Sequence, residues 1–203
     1  GDHDQVTAAL VTAGTKVSVS DAKVTISDGD ATALDATALS AIGGATTGLV
    51  TVTNAVAISG TEAEVTAALV TADTLVVVSD AAVTISGNPT IAELNAIAAK
   101  TTGVVTATLA ADSLSNLGSL STASTDVITV TVNDADAAAV TASNLSTLGG
   151  KTAGTVTVTN AVAITGDHDQ VTAALVTDDT KVSVSDATVT ISDADGTGIT
   201  ATE

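Results

Sequence analysis

Apolar and polar residues alternate along this chain in very short runs, and the runs recur. Val17-Ser18-Val19, Val76-Val77-Val78 and Val182-Ser183-Val184 each start eleven residues after the start of a VTAALVT string, which begins at Val6, Val65 and Val171. A second run follows after a short gap: Val24-Thr25-Ile26, Val83-Thr84-Ile85 and Val189-Thr190-Ile191. Period-two alternation predicts half-buried strands, with Val and Ile on one face and Ser or Thr on the other. The connectors have a different period. Leu34, Ala38, Leu39 and Ile42 recur at helical intervals, as do Ile91, Leu94, Ile97 and Ala98. Thr90 and Glu93 have the form of a capping box, with Pro89 just before it. The connectors are therefore expected to be short helices or helical turns.

Longer strings repeat as well. GDHDQVTAALVT occupies Gly1–Thr12 and again Gly166–Thr177, and VTVTNAVAI occupies Val50–Ile58 and again Val156–Ile164. Thr32–Gly44 matches Ala138–Gly150 at the same offset of 106 residues that relates the two VTVTNAVAI strings. The intervals between VTAALVT copies, divided over two and four turns, give about 29 and about 27 residues per turn, in the range of stacked repeats. The expected fold is mainly β: a β-solenoid (β-helix) of about seven coils, about 27 residues each, with short helical turns on one side. Residues 1–203 are expected to form a single repeat array, a fragment of a longer repeat protein, with irregular coils over about 89–131. Corners are expected at two columns. One holds Asp21, Asn54, Asp80, Asn160 and Asp186; the other holds Asp28, Gly60, Gly87, Asp134, Gly166 and Asp193. These residue types tolerate a left-handed backbone.

Composition narrows the picture. There is no Phe, Trp, Tyr, Met or Cys, so the core must be filled by Val, Ile, Leu and Ala. With 45% hydrophobic residues, many of them β-branched, disorder fits poorly. The net charge is −18 and only five residues are Lys or Arg, which excludes a nucleic-acid phosphate backbone as partner and disfavours an anionic membrane surface. Cations are the natural partners of such a surface. No apolar run is long enough to cross a bilayer.

The candidate chemistry is sparse. Asp28 and Asp30, Asp134 and Asp136, and Asp193 and Asp195 share a D-x-D spacing at one corner, as do the Asp residues flanking His3 and His168. Paired carboxylates in a turn suit Ca²⁺, which takes six to eight oxygens. The other reading is that these Asp residues cap helices and shape corners. No EF-hand loop and no GGxGxDxUx repeat is present. His3 and His168 occupy equivalent places and lack a second nitrogen or sulfur partner nearby in sequence. No Gly-x-Ser-x-Gly elbow, Cys nucleophile, recognisable triad or phosphate loop occurs, so catalysis is not expected. Ser18, Thr51, Thr157 and Ser183, with Thr25, Thr84 and Thr190, form outward ranks of the kind that can order water or ice, interrupted by Ala57, Val77 and Ala163.

The string VTISDGDATALDATALSAIGGATTGLVTVTNA, Val24–Ala55, resembles tandem repeats of giant acidic secreted or cell-surface proteins of bacteria, marine cyanobacteria among them. The likeness is one of composition and period, covers nearly the whole chain and carries no catalytic residue. It implies an extracellular or cell-surface location and a mechanical, coating or adhesive role. The expected function is a structural repeat module of a fibre, surface layer or adhesin stalk, with self-association to further repeats or copies. The alternative is a calcium- or ice-binding module.

Overall fold

Three-residue strands cannot stand alone, and here they are stabilised by stacking on copies of themselves. The structure, a computed structural model, describes residues 1–73, 75–195 and 198. The chain forms two compact units, Gly1–Ala107 and Thr108–Glu203, so the unit boundary falls inside the stretch expected to be irregular.

In the first unit the order is α1 (His3–Leu10), β1 (Val24–Ile26), β2 (Ala33–Asp35), α2 (Ala36–Gly44), β3 (Val50–Val52), β4 (Ala57–Thr61), α3 (Glu62–Leu69), β5 (Val76–Val77), β6 (Ala82–Ser86), α4 (Ile91–Ala98) and β7 (Val105–Thr108). β1, β3 and β5 pair in parallel, with Val24, Val50 and Val76 in line. β2, β4, β6 and β7 form a second parallel set through Leu34, Ile58, Val83 and Val105. In the second unit come α5 (Leu114–Leu117), β8 (Val127–Val132), β9 (Ala139–Thr141), α6 (Ala142–Gly149), β10 (Val156–Val158), β11 (Ala163–Gly166), α7 (His168–Leu175), β12 (Val182–Val184) and β13 (Thr188–Ile191). Val130, Val156 and Val182 line up, and so do Val140, Ile164 and Val189.

The fold is α/β, with mostly parallel strands and seven helices among the described residues; it is not the mainly-β β-solenoid that the strand pattern suggested. The helices are the reason. α2 packs on α3 and α6 on α7, and they bury Leu39, Ile42, Leu145 and Leu148 to 0–1% exposure. Within each unit the helices pack on one another and contribute to the core beside the strands. Among these seven helices all but α2 begin with a side-chain cap. Thr61 with Glu64, Thr90 with Glu93 and Asp167 with Gln170 close full capping boxes, which satisfies orphan N–H groups at both positions. The helix expected after Pro89 is thus present as α4, whereas Leu34, read with the helical positions, lies in β2.

Two further expectations are corrected. Val24–Ile26, aligned in sequence with Val83–Ile85, pairs instead with Val50–Val52, and Val17–Val19 is not a strand. The corner Asp and Asn residues are not the left-handed ones. Positive φ falls on Lys16, Leu75 and Lys181, each just before a valine segment, on Ala31 and Ala137, and on Gly14 and Gly87. Asp and Asn instead use their side chains. Asn54 Nδ2 donates to the Asp28 carbonyl, and Asn160 Nδ2 to the Asp134 carbonyl.

Candidate functional site

A carboxylate at the end of a strand can reach the first N–H groups of a helix in the preceding turn, which point outward unpaired. Asp28 does this. Its Oδ2 accepts the His3 N–H at 2.8 Å, and its Oδ1 lies 2.7 Å from His3 Nδ1. Asp193 repeats the arrangement, with the His168 N–H at 3.1 Å and His168 Nδ1 at 2.7 Å. Asp134 Oδ2 accepts the Leu114 N–H at the start of α5. Each imidazole also has a second carboxylate nearby. His3 Nε2 stands 3.5 Å from Asp4, and His168 Nε2 stands 3.4 Å from Asp169. The bond from Asp28, joined by the negative charge of Asp28, Asp4 and Asp2, raises the His3 pKa above its ordinary value against the opposing effect of burial. Asp28 itself is buried.

The second Asp of each D-x-D pair bonds in the opposite direction. Asp30 Oδ1 accepts the Ala55 N–H, and Asp136 Oδ1 accepts the Ala161 N–H, each at 3.1 Å. Asp28 is thus tied to a residue 25 positions earlier, and Asp30 to one 25 positions later. The pair braces both neighbours of its own turn. In both pairs one oxygen of each Asp is already engaged by a backbone N–H of a neighbouring turn. Asp195 is exposed; Gly196, which follows it in the motif, lies outside the described residues. Among the described residues no group of three or more His, Asp or Glu converges as a metal site.

Other polar residues make the same kind of link. Thr46 Oγ1 donates to the Ala22 carbonyl, Thr101 Oγ1 to that of Ala81, and Thr152 Oγ1 to those of Asp126 and Ile128. Two residues on, Gly48, Gly103 and Gly154 each donate their N–H back to that Thr. A Cβ at any of these three glycines would fall inside contact distance of a carbonyl oxygen one turn away. The sequence reading missed this Thr-x-Gly staple, although its signal was visible as TTG at Thr46 and Thr101 and TAG at Thr152. It also treated His3 and Asp28 separately, although the same 25-residue separation relates His168 to Asp193.

The outward hydroxyls fall in a different order from the one expected. Thr25 stands beside Thr51 and then Val77, while Thr141, Thr165 and Thr190 form an unbroken exposed rank. In the first unit a groove of about 420 Å³ runs past Asp35, Ser59, Glu64, Thr84 and Ser86. The Glu64 carboxylate is held by its capping box, and Asp35, at the N-cap of α2, makes no side-chain cap bond. The positions equivalent to these two carboxylates in the second unit are Thr141 and Gln170. No helix among the described residues is long and apolar enough to cross a membrane. Comparison with protein families, curated proteins and solved structures found no match.

Proposed function

We propose that this chain is a structural repeat module of an extracellular or cell-surface assembly, such as a fibre, surface layer or adhesin stalk. The observation that carries this reading is the use made of its chemistry-bearing side chains. Asp28, Asp30, Asp134, Asp136 and Asp193 each commit one carboxylate oxygen to a backbone N–H group of an adjacent turn. The Thr-x-Gly staples donate their hydroxyls to backbone carbonyls of adjacent turns. Bonds of this kind hold one repeat to the next and recur at a 106-residue offset, as between Asp30 with Ala55 and Asp136 with Ala161. That is the economy of a part selected for regular stacking. A net charge of −18 keeps such surfaces hydrated and mutually repelling until ions screen them.

The test is location in the producing cell. Immunogold labelling with antibody raised against this chain is expected to mark fibres or a layer at the cell surface. Label confined to the cell interior would overturn the reading.

A further inference from the structure

We propose that His3 with Asp4, and His168 with Asp169, form two equivalent sites for a divalent transition-metal ion of the zinc class, each held by the imidazole Nε2 and one carboxylate oxygen. The sites add to the structural reading above and do not depend on it. Each lies within one unit: His3, Asp4 and Asp28 in the first, His168, Asp169 and Asp193 in the second.

Hydrogen bonding decides which imidazole nitrogen is open to a metal. Asp28 Oδ1 lies 2.7 Å from His3 Nδ1, and Asp193 Oδ1 lies 2.7 Å from His168 Nδ1. An ionised carboxylate only accepts, so Nδ1 is the donor in both bonds. The lone pair of the neutral ring is then on Nε2. That nitrogen stands 3.5 Å from Asp4 Oδ1 in one unit and 3.4 Å from Asp169 Oδ1 in the other. Both distances exceed the usual reach of an N–H···O bond. They match the edge of a coordination tetrahedron: two ligands at about 2.0–2.2 Å from zinc stand about 3.3–3.5 Å apart. A lone pair beside a carboxylate is repelled, and a cation between the two reverses the sign. The buried Asp28 meanwhile does what an outer carboxylate does behind a metal-bound histidine, fixing the tautomer and the ring.

The other repeats show that capping and stacking do not require these three residues. Gly60-Thr61-Glu62-Ala63-Glu64 aligns with Gly1-Asp2-His3-Asp4-Gln5, and Gly87 stands in the place of Asp28. There the His, the Asp after it and the buried Asp are all replaced, yet α3 has a full capping box and buries Val65, Ala68 and Leu69. At α5 the brace alone remains. Asp134 accepts the Leu114 N–H, while Leu114 and Ser115 stand in the places of His and Asp. Among the helices described, Asp occupies the second position only where His occupies the first.

A helix start carries about half a positive charge, which opposes a cation. Here it faces the carboxylates of Asp2, Asp4 and Asp28, all of which act on His3, so the local field favours a cation. The imidazole nitrogen selects the zinc class over calcium and magnesium, which take oxygen ligands. No third His, Asp or Glu converges there among the described residues, so water completes the shell.

The chain has two histidines, so imidazole NMR signals report these two sites alone. The isotope-labelled chain is titrated with zinc chloride in excess magnesium and calcium chloride, which occupy the diffuse acidic surface. Zinc is expected to shift Nε2 of both rings to saturation while Nδ1 keeps its proton. Asp4→Asn is expected to weaken the response of His3 by at least about tenfold, since even outer-shell partners are worth that much, and to leave His168 unchanged. Asp169→Asn is expected to do the reverse. Asp4 is 90% exposed and Asp169 88%, so neither variant threatens the fold. Imidazole signals that excess zinc leaves unmoved, or that move as strongly when both Asp residues are replaced, would overturn the proposal.

Discussion

Gly154 has a contact that no other residue type can keep. Its Cα faces the Ile128 carbonyl so closely that an added methyl group would overlap the oxygen. Gly154→Ala is expected to cost on the order of 1–3 kcal/mol or more, the usual penalty of overpacking, measured by urea denaturation. Asp28 is the second sensitive residue. Asp28→Ala leaves the His3 N–H and imidazole without their acceptor, and a cost of about 1–3 kcal/mol is expected by the same measurement. His3 adds a pH dependence. Its pKa is raised in the folded chain, chiefly by the bond to Asp28, so its stabilising contribution is complete below the ordinary 6.5 and is lost as pH rises through the folded value. The thermal midpoint is expected to fall across that window, and His3→Gln to flatten the fall. A midpoint that rises there in the unmodified chain would contradict the assignment.

At the scale of elements, the helices were the most legible part of the sequence. Thr90, Glu93 and the spacing of Ile91, Leu94 and Ile97 announced α4, and the structure has its box and its buried face. Thr90→Ala is expected to lose about 1 kcal/mol, read as a lower denaturation midpoint, because the hydroxyl that accepts the Glu93 N–H goes with it. The candidate corners were legible as positions but not as bonds. Asp28 and Asp30 share one tripeptide, yet they face opposite neighbours, and spacing alone does not fix direction. Strand partners were less legible still. Val24-Thr25-Ile26 and Val83-Thr84-Ile85 read alike, but the first joins β3 and the second joins β4 and β7. A tripeptide fixes its own alternation, while the length of the connector before it decides which ladder it enters. The same limit led to the mainly-β expectation. Three-residue strands dominate the pattern by their regularity, whereas the burial of Leu39, Ile42, Leu145 and Leu148 depends on one helix packing against the next.

For the whole molecule, charge sets the behaviour. With 23 acidic residues against five basic ones, the folded chain concentrates its own repulsion, and salt is expected to raise the thermal midpoint between low and moderate ionic strength. An unchanged midpoint would mean that the carboxylates are already compensated. The near-identity of the turns also creates a hazard during folding, because a refolding strand meets several landing places of almost equal quality. Gly48, Gly103 and Gly154 bear on that choice. Each marks a spot where only a residue without a side chain can pass the carbonyl of the turn beneath. A strand that slips by one position brings Leu49, Val104 or Thr155 to that spot and is turned away. The staples therefore proofread alignment, and replacing those glycines should produce misregistered, slowly resolving species before it produces an unfolded chain.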